Sequence, residues 1–551
     1  MPRINVYLND NTGAEYTGDE QVIFVPGPIK IKTGQEDDNK CVYISASDYA
    51  KVTSTFLDMI DVTKIASELK SLDEALSKAV EEDASVVEAV TAEAAAKKAW
   101  EDAEEGDKAT KKDLYDRAVE ATEKAREAAT KKNNANLLAY VAATAVRVGL
   151  TSSVTEDALK TAIATDTKGN ITGSAKTSVE KEIQCLAIIE NYLQRNYDVI
   201  YCNVALDSTT NAPNLNFLLD KDQYNIKFLT AGADYPIQAT VTPKSEKTTD
   251  SKPSISFDFS ILNSLMAIAK ARMDCIVVAS VEYDTKNCVE AGITGDVLAD
   301  CIKAAMMGET STKVGGKETE ITIAIAANAG LATADDVGKF ATLIIPNEII
   351  TLTSSMGSIT FTAPAGFAYL MALGTCMGKN QYWLPVANSA RGSVASLGKP
   401  DLTVTKYHLD QNIILDKEAI AFNGIVKIRP YGNVIWGDRT LLKLTNSVKA
   451  SGYTSLMLMV CDISKEAYNA SVRYTYESNN EVTWLSYKSR ITVLLDQMVT
   501  AGVLQSYDIV KMPADTYNKI VCRITIYPNL PVENFDIYIN LENAELQLEN
   551  A

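Results

Sequence analysis

The chain has 551 residues, enough for about three or four domains at roughly 150 residues each. Its 46% hydrophobic and 23% charged residues are typical of globular domains and exclude a largely disordered protein. The formal net charge of −18, from 53 Lys and Arg against 71 Asp and Glu, disfavours a nucleic acid partner because two polyanions repel each other.

Side chains that commonly bind metals or act as bases are scarce. His408 is the one histidine, which excludes zinc sites and proton relays that need two. Of the nine cysteines, the closest two are 13 residues apart, and several lie in apolar runs, so we expect buried free thiols in a reducing compartment. No signal-peptide pattern begins the chain, and no apolar run approaches the roughly 20 residues of a membrane span, so we expect no membrane insertion.

Residues 1–50 are predicted to form an N-terminal β arm and a small sheet element. Ile4, Val6 and Leu8 alternate with more polar residues, which is typical of a strand with one apolar face. A second apolar run, from Val22 to Val25, ends at the turn-forming sequence Pro26-Gly27-Pro28.

Residues 51–195 are predicted to be helical. Between residues 84 and 132 the sequence is rich in Ala, Glu and Lys, which favours helix, and Glu105-Gly106-Asp107 interrupts it. We therefore expect an Ala-rich helical hairpin over 84–132. Its few large apolar side chains predict little buried area and a projecting position. A coiled coil that recruits a partner is the alternative, although no sustained heptad of large residues supports it.

Residues 196–420 alternate short apolar strands with amphipathic helices and are predicted to form an α/β core domain. The strand candidates are 197–202, 226–229, 275–279 and 341–345, and the helix candidates are 261–272 and 367–377. Residues 421–551 are predicted to form an α+β domain that ends in a terminal β arm. In that arm one face of the strand carries Phe535, Ile537, Ile539 and Leu541. The predicted fold class is therefore multidomain α/β and α+β.

The search for catalytic chemistry is negative. Gly374 to Lys379 has the wrong spacing for a P-loop, and no GxGxxG or GxSxG occurs. His408 could act as a general base with Asp410 near it, but one histidine without a nucleophile motif is better interpreted as a loop histidine beside a carboxylate. We predict no catalytic residue, no cofactor and no metal site.

The C-terminal third resembles a known family. The segment 425–441 has a strand, a glycine turn and a second strand, and ends in Trp436-Gly437-Asp438-Arg439-Thr440-Leu441. Upstream, the segment 380–392 contains Trp383 and Pro385, followed by Ala387-Asn388 and Gly392. Segments 476–502 and 524–537 also match, and weaker matches at 228–232 and 269–274 extend the pattern into the α/β domain. This pattern resembles the contractile tail sheath proteins of bacteriophages and related injection machines, over roughly residues 200–551.

Two features depart from the family pattern. The segment 456–462 lacks the basic triplet found in many sheath proteins, so no contact with the tube can be carried over from those arginines. The Ala-rich hairpin has no counterpart in the family pattern.

The resemblance implies a structural protein and not an enzyme. Its expected partners are many copies of itself in a helical sheath, an inner tail tube protein, and baseplate and tail terminator proteins. Its expected location is a virion tail assembled in the cytoplasm of a host bacterium, with a role in genome ejection. Both terminal arms would then exchange strands between subunits. The alternatives are an α/β enzyme of unknown substrate and a non-contractile virion surface protein.

Overall fold

The computed structural model describes residues 21–29, 31, 34–56, 78, 80–103, 107–147, 174–204, 215–232, 235–243, 252–313, 320–326, 330–354, 357–377, 383–416, 418–445 and 449–531. In chain order, the strands are β1 (Val22–Pro26), β2 (Cys41–Ile44), β3 (Asp198–Cys202), β4 (Phe228–Leu229), β5 (Ile237–Thr242), β6 (Ser254–Asp258), β7 (Ile276–Ala279), β8 (Val281–Glu282), β9 (Ser311–Lys313), β10 (Glu320–Ile325), β11 (Ala341–Ile345), β12 (Glu348–Ser354), β13 (Gly357–Ala363), β14 (Gly398–Pro400), β15 (Asn423–Ile428), β16 (Gly432–Trp436), β17 (Leu504–Met512) and β18 (Val521–Pro528).

The α-helices are α1 (Val52–Thr55), α2 (Ala84–Glu101), α3 (Lys108–Arg147), α4 (Ser174–Gln194), α5 (Ser260–Arg272), α6 (Thr285–Glu290), α7 (Gly295–Met306), α8 (Ala365–Met377), α9 (Asn388–Arg391), α10 (Lys406–His408), α11 (Thr454–Tyr474) and α12 (Glu481–Thr500). Short 3₁₀ segments lie at Ala46–Lys51, Asn216–Leu219, Ala334–Phe340 and Ala450–Gly452, and a π-helical turn continues α10 over Leu409–Ile414. No helix in the described part of the chain has both the length and the apolar character that crossing a membrane requires.

The main sheet has eight strands in the order β16-β15-β11-β7-β4-β1-β3-β2. The six inner strands are parallel, and the outer strands β2 and β16 are antiparallel to their neighbours. Every residue of β1, β7 and β11 is buried, as expected for parallel strands covered on both faces. The alternation of strands and helices therefore produced the predicted mixed α/β architecture.

Two sequence expectations about domain organisation differ from this sheet. The run Val22–Val25 does not form a small N-terminal sheet, because β1 lies inside the main sheet between β3 and β4. The predicted boundary between residues 420 and 421 falls within the sheet, because β15 pairs with β11. Both differences have the same cause: strand pairing between distant segments leaves no local sequence signal.

Two smaller sheets complete the α/β region. A five-stranded sheet has the order β8-β5-β6-β10-β9, and a three-stranded sheet has the order β13-β12-β14. The predicted strand 341–345 coincides with β11, and the predicted helices 261–272 and 367–377 fall within α5 and α8.

The C-terminal unit consists of α11, α12, β17 and β18, which share a second hydrophobic cluster. Helix α11 belongs to both cores. Leu456 and Met459 pack in the C-terminal cluster, whereas Met457 and Cys461 pack in the main core. Because one helix supplies buried side chains to both clusters, the two cannot separate without exposing apolar surface.

Helices α2 and α3 pack against each other through a small cluster of Val80, Val86 and Ala129. The rings of Trp100 and Tyr115 stack with centroids 5.5 Å apart. The second helix extends beyond residue 132, where the sequence predicted its end, to Arg147.

Candidate assembly site

The residues of the family signature form a junction between the main sheet and the C-terminal unit. Strands β15 and β16 pair from Gly424 with Trp436 to Ile428 with Gly432, which is the strand, glycine turn and strand expected from the sequence. Gly432 has a φ of +84°, a conformation that glycine adopts without strain.

Arg439 is buried within this junction, with 1% of its surface exposed. Its backbone N–H donates to Asn423 Oδ1 at 2.7 Å, and Asn423 Nδ2 donates back to the Arg439 carbonyl at 2.9 Å. Its guanidinium lies 4.9 Å from the centre of the Tyr453 ring, and Nη2 donates to the Ile414 carbonyl at 3.3 Å. Arg439 therefore makes its contacts inside the chain and presents almost no surface to solvent.

The residues on either side of Arg439 continue the same connection. The Thr440 hydroxyl donates to the Ser451 carbonyl at 2.9 Å, and the Leu441 N–H donates to the Ala341 carbonyl on β11 at 2.9 Å. Asp438 caps the first turn of α11, because its Oδ1 accepts from the Ser455 N–H at 3.1 Å. The signature thus links the start of α11 to the central sheet.

Trp436 and Gly437 occupy the outer side of the junction. The Trp436 indole N–H donates to Asp410 Oδ1 at 2.6 Å, and Lys406 Nζ lies 4.4 Å from the centre of a Trp436 ring. Gly437 has a φ of +102°, and a Cβ there would lie 2.6 Å from Asn423 Oδ1. Only glycine fits this position without a shift of its neighbours.

Trp383 and Pro385 belong to a second connection. The Trp383 indole N–H donates to Asp462 Oδ2 on α11 at 3.0 Å, and Asp462 also forms a buried ion pair with Lys227, which directly precedes β4. Burial lowers the pKa of Lys227 to about 8, against the opposing effect of Asp462. The Pro385 carbonyl accepts from Arg391 Nε at 2.8 Å. Trp383 therefore helps to fix α11 against the sheet from another side.

His408 lies beside a carboxylate, but that carboxylate is Asp300 and not the neighbouring Asp410. His408 Nε2 lies 2.9 Å from Asp300 Oδ1, and Nδ1 lies 2.9 Å from Asn412 Nδ2, whereas Asp410 binds Trp436 and Lys406. Burial raises the pKa of Asp300. In the described segments, no group of three or more His, Cys, Asp and Glu side chains could hold a metal ion.

The hairpin of β17 and β18 forms a sheet separate from the other three. One face packs on α12, where Ile509 and Ile526 join Ile491 and Leu495 in the C-terminal cluster. Within the described part of the chain the sheet has these two strands. A two-stranded sheet presents two edges that can each accept another strand.

All seven predicted arm residues lie outside the described residues: Ile4, Val6, Leu8, Phe535, Ile537, Ile539 and Leu541. Sequence reasoning missed the internal partners Asn423, Asp438 and Asp462. Asp462 had a detectable signal, since it follows the apolar run 456–461 in a helix, where a carboxylate needs a buried partner. Asn423 and Asp438 carried no such signal.

No protein-family model matches the chain, and no curated protein sequence matches it. Among solved structures, the chain is similar to one in the cryo-EM structure of the anti-feeding prophage baseplate, with 11% identity and a TM-score of 0.46 over 98% of this chain and 99% of that chain. It is similar to a chain of the helical sheath of the anti-feeding prophage in the contracted state, with 12% identity and a TM-score of 0.44 over 98% and 99%.

A third similar chain belongs to the PVC sheath complex of an extracellular contractile injection system in the contracted state. It has 14% identity and a TM-score of 0.39 over 65% of this chain and 80% of that chain.

Proposed function

We propose that the chain is a structural subunit of a contractile tail sheath, without catalytic activity, that assembles in many copies around an inner tube. The observation that carries the proposal is the β17–β18 hairpin, a two-stranded sheet fixed on α12. Near both ends of the chain the sequence alternates apolar and more polar residues, the pattern of a strand that needs a partner. The Trp436 to Leu441 signature supports the same family.

In this proposal, the terminal arms of neighbouring subunits complete the sheet that the hairpin begins. Backbone hydrogen bonds along the edge supply affinity, and the alternating apolar side chains of the arm supply register. Ile537 and Ile539 would face the apolar side of the sheet, with Ile4, Val6 and Leu8 in the complementary arm. Such a contact joins different surfaces of two subunits and can generate an open helical array.

The internal junctions support a subunit that moves as one body. Arg439, Asn423 and the buried pair of Lys227 with Asp462 hold α11 against the main sheet. A change in sheath length would then be taken up in the arms, while the bodies rotate and form new contacts. The energy of contraction would come from packing between subunits, so no nucleotide site is required.

The proposed partners are the inner tube protein and the baseplate and terminator proteins at the two ends. The proposed location is the tail of a phage or a related injection particle, assembled in a bacterial cytoplasm. Contraction would drive the tube through the envelope of the target cell.

Negative-stain electron microscopy of the purified full chain tests the proposal. Long striated tubes are expected, because strand exchange continues from subunit to subunit. Discrete globular particles at all protein concentrations would contradict the sheath and favour the α/β enzyme, and flat or closed shells would favour a virion surface protein.

A further inference from the structure

Two cysteines far apart in sequence are direct partners across the edge of the main sheet. Cys41 on β2 is opposite Cys202 on β3. The Asn203 N–H donates to the Lys40 carbonyl at 3.0 Å. The Cys41 N–H donates outside the strand pair, to Asp37 Oδ1 at 2.8 Å. Cys41 and Cys202 therefore form a non-hydrogen-bonded pair, the position where antiparallel strands bring opposite side chains closest, with Cα atoms about 4.5 Å apart.

The two sulfur atoms also converge. Cys202 Sγ lies 3.4 Å and Cys41 Sγ lies 3.7 Å from the same acceptor, the Asn39 carbonyl oxygen. By contrast, the thiols of Cys376 and Cys461 donate to two different acceptors, the carbonyls of Arg391 and Cys275 respectively. Opposite positions on paired strands and sulfurs that approach one oxygen atom favour a disulfide, which needs Cβ atoms about 3.5–4.5 Å apart.

We propose that Cys41 and Cys202 are a redox pair that forms an intramolecular disulfide when the protein meets a small disulfide oxidant such as oxidised glutathione. The pair is protected in the folded, reduced protein, where Cys41 is 2% and Cys202 0% exposed. The neighbouring Cys202 thiol, together with burial, raises the pKa of Cys41, so its nucleophilic thiolate is scarce while β2 is in place.

The reaction begins when the edge strand opens. Strand β2 has four residues and one neighbour in the sheet, so it can detach without breaking the inner strands. The exposed Cys41 loses its proton to water and attacks one sulfur of glutathione disulfide, which forms a mixed disulfide and releases one glutathione thiolate.

The return of β2 completes the exchange. Cys202, as a thiolate, attacks the Cys41 sulfur and displaces the second glutathione thiolate. The two protein thiols lose two electrons, glutathione disulfide gains them, and the two protons end on the released glutathiones. The product ties the outer strand to β3 and closes the loop from residue 41 to residue 202, which contains the helices α1 to α4.

Mass spectrometry of the full-length protein tests the proposal. The reduced protein is incubated with oxidised glutathione, both in buffer and in urea just below its unfolding transition, where edge opening is faster. It is then denatured, alkylated and digested without reduction. We expect the Cys41–Cys202 linked peptide as the main cross-link, its removal by dithiothreitol, and a melting temperature several degrees above that of the reduced protein.

Two variants sharpen the result. Cys202→Ala should leave a glutathione adduct on Cys41 that does not resolve, whereas the control Cys376→Ala should form the cross-link as wild type does. Glutathionylation of the half-buried thiol of Cys522 shows that the oxidant has acted. The proposal is overturned if Cys41 and Cys202 are then both still alkylated in full. It is also overturned if Cys41 or Cys202 of the wild type forms its main cross-link with another cysteine.

Discussion

Glu348, at the start of β12, is a buried carboxyl group whose charge should make stability depend on pH. The residue is 1% exposed, and neither carboxyl oxygen has a hydrogen-bond partner in the described structure. Burial, with a smaller contribution from the nearby Asp401, raises the pKa of Glu348 to about 8 from its ordinary value of 4.5. Asp401 adds to the cost of the charge because an ionised Asp401 repels it, and the hydrogen bonds that Asp401 accepts from Tyr283 and Thr285 favour its ionised form.

The raised pKa determines the sign of the effect. Between pH 4.5 and pH 8 the folded chain keeps the Glu348 proton while the unfolded chain loses it, so stability falls as pH rises through this window and levels off above it. At about 1.4 kcal/mol per pH unit, the accumulated loss by pH 8 is about 3–5 kcal/mol. Glu348→Gln removes the charge at nearly constant shape and should recover that amount.

Thermal unfolding at several pH values measures this effect. We expect Glu348→Gln to melt close to wild type at pH 4.5 and several degrees above it at pH 8. Glu290→Gln is the matched control, because the Glu290 side chain is 51% exposed, and it should follow wild type at both pH values. An equal difference between Glu348→Gln and wild type at both pH values, or a lower melting temperature at pH 8, would refute the reasoning.

Three further predictions concern the junctions and the helical pair. Asp462→Ala removes the buried acceptor shared by Lys227 and the Trp383 indole and should lower the free energy of unfolding in urea by about 3–5 kcal/mol. Lys227→Met with Asp462→Leu should recover most of that stability. An equal loss of stability in both variants would show that charge pairing is not the cause. Gly437→Ala should cost at least about 2 kcal/mol, more than Gly308→Ala, which has a φ of +77° but nothing within 4 Å of its Cβ; equal losses would exclude the clash with Asn423. Replacing residues 84–132 by a short Gly/Ser linker should leave tubes of unchanged helical repeat by electron microscopy, and loss of assembly by a folded variant would contradict the dispensable hairpin.

Local sequence patterns predicted those elements whose character is set by their own residues. The apolar run Ala341–Ile345 became β11, and the amphipathic window after Ser260 became α5. The position of β1 could not be predicted, because its neighbours β3 and β4 follow it by well over a hundred residues. Pairing over such a distance depends on how the whole sheet packs.

The junction residues show the same limit at the level of single side chains. Arginine is usually exposed, so its residue type gave no sign that Arg439 is buried against Tyr453 and held by Asn423. The resemblance identified this segment as characteristic, but only its contacts explain why Gly437 and Arg439 occur there. Residues outside the described segments, including both arms, remain predictions from the sequence.

The central claim is that the terminal arms exchange strands with the hairpin β17–β18. The most direct measurement compares tube formation by electron microscopy and sedimentation for two double variants. One is Ile537→Asp with Ile539→Asp, and the matched control is Tyr538→Asp with Asn540→Asp, on the other face of the strand that the sequence predicts. Each charge on the apolar face should cost several kcal/mol at every contact between subunits.

We predict that the variant with both isoleucines replaced is a folded monomer, with a melting temperature close to that of monomeric wild type and no tubes, and that the control still assembles. Normal tubes from the isoleucine variant would show that other surfaces hold the lattice. Unfolding or aggregation of that variant would show that the terminal strand belongs to its own subunit, and either result would contradict strand exchange.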